Sequence, residues 1–288
     1  LESAAIDAVY AVYLDRQAQD IEERRREEGR RIPDDFRYDN LPGLSQELKT
    51  KLERIRPPSV GHAERIEGMT PAAIALLLAN SKGFFPDSAY VSRETWDKLS
   101  LYADLVRKWQ ASINLISPNT LPELWQRHVL DSLQLYWLKP QSMRWLDMGS
   151  GAGFPGLVTA ICLAEHQQGW VYLVESNNKK AAFLRQVILE TGARASVHPI
   201  RIEDARHKLE KIDAISARAL ASLSDLLDYA APYAEDNPSV QMWFHKGLDY
   251  LGEVGSARDL WCFDLVEHQS LAQDGSALLE ISNLSKRN

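Results

Sequence analysis

Apolar residues recur along the front of the chain at the three- and four-residue spacing of helices. Along the second half they form short runs that end on a polar residue. Ile6, Val9, Tyr10, Tyr13, Leu14 and Ile21 share one helical face. Beyond a turn at Pro42-Gly43, Leu44, Leu48, Leu52 and Ile55 share another, in a helix closed by Pro57-Pro58. Thr70 is placed to cap a third helix, with Pro71 first and Ile74, Leu77 and Leu78 on its apolar face. From Ser92 the pattern resumes with Trp96, Leu99, Tyr102, Leu105, Val106 and Trp109 in phase, ending near Asn114 and Leu115. Thr120-Leu121-Pro122-Glu123 predicts a capping box for a further helix. On that helix Arg127, His128, Asp131 and Ser132 form a polar cluster, read as a hydrogen-bond network joining it to a sheet.

The second half alternates strand and helix. One strand leads into Asp147 and a second ends at Glu175, followed by a helix over 179–192 with Gly192 as its C-terminal cap. A third strand over 195–200 precedes Arg201-Ile202-Glu203-Asp204, and a fourth over 212–217 ends at Arg218. A helix over 222–229 and a fifth strand over 240–245 lead to Lys246-Gly247, and two late strands lie near 262–266 and 277–281. This alternation predicts an α/β fold with a mostly parallel seven-stranded sheet, helices on both faces and ligands at the carboxyl ends of the strands. Asp147, Glu175, Glu203, Arg218 and Lys246 fall at five consecutive strand ends, more than chance explains.

Between the first strand and the next helix lies a glycine-dense turn running through Gly149, Ser150, Gly151, Gly153, Phe154 and Gly156. Strand, turn and helix in that order suit a nucleotide-like ligand, because glycine admits close backbone approach. The letters Gly151-x-Gly153-x-x-Gly156 also spell a dinucleotide fingerprint, which leaves a nicotinamide-dependent oxidoreductase as an alternative. The acids favour another ligand. Asp147 stands two residues before the first glycine, where it reaches the turn's backbone or a cationic amino-acid moiety. Glu175 at the second strand tip can accept both hydroxyls of a ribose. Acid before the glycines and acid after the second strand is the usual arrangement for S-adenosylmethionine.

Composition narrows the class. The 288 residues are 45% hydrophobic, enough for a sizeable core. All eight tryptophans lie at or after Trp96, which marks a boundary behind a front segment rich in Arg and Glu. Residues 20–31 carry five acids and five arginines, a solvated stretch laced with ion pairs. A net charge of −7 argues against a generic nucleic-acid coat and leaves any RNA to a few placed arginines and to shape. Cys162 and Cys262 have no metal-ligand spacing and read as buried thiols of a reducing compartment. The apolar run over 72–79 is too short to span a bilayer, no signal-peptide pattern opens the chain, and its first residue is not Met. We therefore expect a cytoplasmic protein with a start upstream of Leu1, no membrane contact, no metal and a monomeric state.

Two family resemblances add to this reading. The stretch GLSQELKTKLERIRPPSVGHAERIEGMTPAAI resembles the C-terminal helical domain of the glucose-inhibited division protein A family, flavin enzymes that modify the wobble uridine of transfer RNA. That resemblance implies a domain contacting transfer RNA and a partner GTPase, without flavin chemistry, since the flavin-binding parts are absent. As a docking module or an inert remnant of fusion it covers most of residues 1–82, the front domain, followed by a linker at 83–89. Further on, NLIS, LWQRHVLDSLQL, WLDMGSGAGFPGL, VESNNKKAAFLRQV, RIED, SARALASL and HKG resemble the glucose-inhibited division protein B family. These are S-adenosylmethionine-dependent methyltransferases acting on guanine N7 in 16S ribosomal RNA of the small subunit. The implied fold is a Rossmann-like methyltransferase over 90–288, with helices at 90–140 and the core at 141–288, behind an all-α domain.

The resemblance also assigns roles. Gly149 and Phe154 line the cofactor site, Ile202 and Glu203 contact the adenine side, and Arg218 is the strand-four arginine that reaches the cofactor. Glu175 stands where Asp is commoner. With Asp147, Ser150, Gly151 and Gly153 these form the expected cofactor set. Asn114, Arg127, Asp131, Arg201 and Lys246 are the candidates for positioning substrate, and Arg127, Arg201, Arg218 and Lys246 are expected to face one cleft. No residue is expected to act as a general base. A second alternative is an inactive docking protein that binds transfer RNA, against which the intact acid and glycine set argues.

Overall fold

The computed structural model describes residues 31–33, 36–38, 41, 44–81, 91–138 and 143–287. The chain divides into two compact units, Leu1–Asp87 and Ser88–Asn288. The first expected helix, the charge run up to residue 30, the Pro42-Gly43 turn and the 83–89 linker lie outside the described residues.

In the first unit α1 (Gln46–Ile55) is capped by Ser45, whose Oγ accepts the Leu48 N–H at 3.2 Å, and it ends at Arg56 in the left-handed region. Leu48 and Leu52 are buried as their phase predicts, but Ile55 is 47% exposed. A short helix α2 (Val60–Glu64), capped by Ser59, was not evident in the apolar spacing. Thr70 Oγ1 accepts the Ala73 N–H at 3.1 Å and so caps α3 (Pro71–Ser81).

The second unit opens with α4 (Arg93–Gln110), capped by Ser92, which buries Trp96, Leu99, Tyr102, Leu105 and Val106 along one face. The expected capping box does not form. Thr120 closes a 3-10 turn (Pro118–Thr120) and donates its hydroxyl to Ser117 O at 2.9 Å. The next helix begins as a π segment, Trp125–Leu130, and continues as α5 (Asp131–Leu138).

From there strand and helix alternate: β1 (Arg144–Met148), α6 (Gly156–His166), β2 (Trp170–Val174), α7 (Asn178–Thr191) and β3 (Ala195–His198). Then come β4 (Ala214–Arg218), α8 (Leu223–Asp236), β5 (Gln241–Lys246), α9 (Tyr250–Leu260), β6 (Trp261–Gln269) and β7 (Ala277–Lys286). The third strand stops short of the expected Ile200, and the last two outrun their expected spans because they pair with each other beyond the sheet core. Helix α9 was missed because Gly252 and Gly255 dilute its helical signal.

The seven strands form one sheet in the order β3-β2-β1-β4-β5-β7-β6. Strands β1 to β5 pair in parallel, and β7 runs antiparallel to both β5 and β6. Burial on both faces explains the near-continuous apolar runs of β1 and β4. On one face Leu146, Met148, Ile215, Met242 and Phe244 pack with Leu223, Leu226 and Leu227 of α8 and Ala257 of α9. Helices α4, α6 and α7 pack together on the other. The chain steps outward from β1 to β3, then returns to β4 on the far side of β1. Loops leaving β1 and β4 diverge there and open a crevice at the carboxyl ends.

Candidate functional site

A cleft of about 720 Å³ occupies that crevice. Its floor is the turn after β1, where Gly149, Gly151 and Gly153 all have positive φ and Phe154-Pro155 is a cis peptide. Gly151 has φ +55, yet a Cβ added there would meet only Gly149 O, at 3.7 Å. The backbone thus turns left-handed beneath open space, which suits a ligand laid on the amides. Gly156 answers to packing instead, for a Cβ would lie 2.5 Å from Asp147 Oδ2.

Glu175 ties the turn to the next helix. Its Oε2 accepts the Gly151 N–H at 2.8 Å and its Oε1 the Asn177 N–H at 2.7 Å, and the side chain lines the cleft. Each oxygen keeps a second acceptor site, so the carboxylate can still take two hydroxyls. Asp147 behaves differently. It is 1% exposed, its Oδ1 accepts from Ser216 Oγ at 2.7 Å, and it does not line the cleft. Burial pushes its carboxyl up to about 6, outweighing the hydrogen bonds, Ser216's foremost, that favour the charge. Of its two expected reaches, the turn's backbone or a cationic ligand, the structure shows the first, as support of the turn from beneath. Gly153 also lies off the cleft wall, packed against Leu157 and Tyr102.

The remaining expected cofactor residues Gly149, Ser150, Phe154, Ile202, Glu203 and Arg218 line the cleft, as do Asn114 and Arg201 from the substrate set. Arg201 and Glu203 are exposed, and the Arg201 guanidinium has no hydrogen bond or ion pair among the described residues. Arg201 therefore pairs with neither Glu203 nor Asp204.

The other candidate cations sit elsewhere. Arg127, Asp131 and Lys246 line a second pocket of about 190 Å³, which shares Thr120, His128, Arg218 and Ala219 with the larger one. The expected single cleft is therefore two, meeting at Arg218. Lys246 is held by Glu253 at 2.5 Å and donates to Ala221 O at 2.9 Å, with its side chain 7% exposed. Arg127 faces Glu123 at 3.6 Å and Gln273 at 3.3 Å. Asp131 accepts from Ser270 Oγ at 2.8 Å and pairs with Arg218 Nε at 3.3 Å.

Arg218 makes three contacts at once: with Asp131, with the Arg127 carbonyl and, through Nη1, with His128 Nδ1 at 2.8 Å. A guanidinium only donates, so Nδ1 is the acceptor and Nε2 carries the imidazole proton, donated to Thr120 Oγ1 at 2.9 Å. Burial, then the charges of Arg218 and Arg127, lower the His128 pKa to about 2. The histidine is neutral and structural, and the polar cluster joins its helix to the sheet.

The expected site set also left out residues that line or support the cleft. Lys180 and Thr120 line the larger cleft. Tyr102 donates its hydroxyl to Ala152 O at 2.7 Å, and Gln110 clamps the wall at residues 114–116. A fully buried tyrosine needs a partner for its hydroxyl, which was the signal available for Tyr102. Of the two cysteines Cys162 is buried but Cys262 is exposed, because it points outward from the edge strand β6.

A sheet in this strand order with its seventh strand reversed, a glycine turn after β1 and a carboxylate at the tip of β2 defines a Rossmann-like S-adenosylmethionine-dependent methyltransferase. Residues 95–279 match the family model of rRNA small subunit methyltransferase G, and residues 20–94 match that of the tRNA modifying enzyme MnmG/GidA C-terminal helical bundle. The chain belongs to the rRNA small subunit methyltransferase G family. It is 58% identical over 198 residues to the Ribosomal RNA small subunit methyltransferase G of Sinorhizobium fredii (strain NBRC 101917 / NGR234), covering 68% of this chain and 92% of that protein. The protein of the same name from Rhizobium meliloti (strain 1021) is 59% identical over 199 residues, with 68% and 93% covered. Among solved structures, cofactor-bound Rv0187 from MTB aligns over 75% of this chain and 99% of its own at 12% identity and a TM-score of 0.48. No helix among the described residues is long and apolar enough to cross a membrane.

Proposed function

We propose that this chain transfers a methyl group from S-adenosylmethionine to N7 of a guanine in 16S ribosomal RNA of the small subunit, in the cytoplasm. The observation that carries the reading is Glu175 at the tip of β2, anchored by two backbone amides at the edge of the open Gly151 turn. Glu175 would hold the ribose hydroxyls, the turn amides would approach the amino-acid portion, and Ile202 with Glu203 would flank the adenine. When bound, S-adenosylmethionine supplies an electrophilic methyl group on a sulfonium.

The protein's own groups fit an acceptor that needs no deprotonation. Guanine N7 offers an in-plane lone pair at neutral pH. His128 is neutral near pH 7 with both ring nitrogens engaged, and Asp147 is sealed beneath the turn. The cleft would therefore act by orientation, which can supply several kcal/mol, roughly the effect of a well-aligned reacting pair. Arg201, exposed at its rim, would meet a phosphate. Residues 20–94 would act as a docking segment for transfer RNA or its modifying partner, as the matched model's name suggests.

The test is methyl transfer from labelled S-adenosylmethionine to small ribosomal subunits, naked 16S RNA and transfer RNA. Label at guanine N7 of the ribosomal substrate is the expected result. Label at another atom, or on transfer RNA alone, would overturn the assignment.

A further inference from the structure

Helix α4 reaches both walls of the larger cleft with two side chains about two turns apart. At the inner end Tyr102 is fully buried, and its hydroxyl donates to Ala152 O at 2.7 Å. That carbonyl belongs to the turn that carries Gly151. The same hydroxyl lies 2.9 Å from where a Gly153 Cβ would stand, so turn and tyrosine are closely fitted. The Tyr102 ring lies 5.1 Å from Phe154, whose other neighbour at 5.1 Å is the His128 ring.

At the outer end Gln110 engages residues 114–116. Its Oε1 accepts the Leu115 and Ile116 N–H groups at 2.9 and 3.1 Å, and its Nε2 donates to Ile116 O at 2.9 Å and to Asn114 Oδ1 at 3.3 Å. Those residues line the cleft with Ser117, whose carbonyl accepts the Thr120 hydroxyl, and Thr120 in turn meets His128, the neighbour of Arg218. The cofactor anchors Gly151, Glu175 and Glu203 stand instead at the ends of β1, β2 and β3. The wall at 114–117, linked through Thr120 and His128 to Arg218 at the end of β4, is left to the methyl acceptor.

We propose that Tyr102 and Gln110 are positioning residues of the methyl transfer. Tyr102 fixes the turn on which the cofactor lies, and Gln110 fixes the wall against which the RNA is set. The proposal rests on the function given above. Neither residue touches the reacting atoms, so each acts through the backbone it holds. One helix thereby sets the distance between the two binding partners.

The two substitutions should separate two constants. Tyr102→Phe keeps the ring and removes one buried hydrogen bond; it should weaken S-adenosylmethionine binding about fivefold by calorimetry, with the KM for small subunits within about twofold. Gln110→Ala should do the reverse, raising the KM for small subunits about fivefold and leaving cofactor affinity within about twofold. A purely structural role would move both constants together in either variant, or neither, and either outcome overturns the proposal. Should Tyr102→Phe fail to fold, the half-buried Gln110 decides: an unchanged KM for small subunits in Gln110→Ala overturns the proposal. Failure of the functional reading looks different, because the wild-type chain would then put no label at guanine N7 of small subunits, whatever the two variants do.

Discussion

The two pockets that meet at Arg218 hold their charges in opposite ways. In the larger, Arg201 and Glu203 stand exposed on the rim. In the smaller, Lys246 and Arg127 are drawn into ion pairs with Glu253 and Glu123, and their nitrogens also serve Ala221 O and Gln273. All of these lie near strand ends or on the helix beside them. Position at a strand end therefore predicts nearness to the site, while availability to a ligand depends on the partners that close round each charge, some local (Glu123, Glu253) and some distant (Ala221, Gln273). The larger pocket is free to bind, and the smaller one is a buttress.

The sharpest way to break that contrast is at the shared wall. Arg218→Ala removes three contacts and leaves Asp131 buried with its ion-pair partner gone, a change of about 3–5 kcal/mol in stability. Thermal or denaturant unfolding should register that loss, along with a fall in methyl transfer of at least about a hundredfold, since Arg218 faces both pockets. Normal stability in this variant would mean the two pockets are not held by this residue.

Beneath the turn, Asp147 should mark itself through pH. Its carboxyl is raised from 3.8 to about 6 by burial. The unfolded chain therefore loses this proton first, and folded stability falls as pH rises from about 4 to 6, by roughly 3 kcal/mol in total at about 1.4 kcal/mol per pH unit. Asp147→Asn mimics the protonated form and should lack that fall. Denaturant titrations of both proteins across the window check it, and parallel pH curves would contradict the burial argument.

Glu175→Gln tests the free side of the contrast. An amide cannot accept on both arms, so one of the two N–H contacts is lost together with charge assistance, about 1.5–3 kcal/mol. Cofactor binding should weaken on the order of tenfold to a hundredfold by calorimetry. Smaller and more selective effects are expected at the two cations. Arg201→Ala should raise the KM for RNA several-fold and lower the salt slope of binding by about one, with stability unchanged. Lys246→Ala should instead lower the unfolding midpoint, through loss of the Glu253 pair and the Ala221 contact, and change the salt slope little. An exchange of these two phenotypes would invert the account of the pockets.

These contrasts mark what local pattern could and could not reveal. The strands and their carboxyl ends were legible because apolar runs buried on both faces must stop where the chain meets solvent. Glu175 was legible for the same reason, as an acid at such a stop. Asp147 was found as an acid serving the turn, the first of its two expected reaches, but its contact with Ser216 across the sheet was not legible. The Lys246 contact with Ala221, the Tyr102 contact with Ala152 and the Arg218 contact with His128 join distant segments and leave no trace in spacing. The capping box failed for a related reason. Thr120 spends its hydroxyl on Ser117 and His128, which the local letters could not foresee.

The central claim is that the larger cleft works by placement and not by deprotonation. It is tested most directly by the single-turnover rate of methyl transfer at saturating cofactor and small subunits, measured from pH 7 to 9. His128, lowered to about 2, stays neutral throughout, and Asp147, near 6, has already lost its proton. The rate should therefore be flat across that range. A tenfold rise per pH unit would show a base losing its proton in the reaction and would contradict both the placement account and the choice of guanine N7 as acceptor.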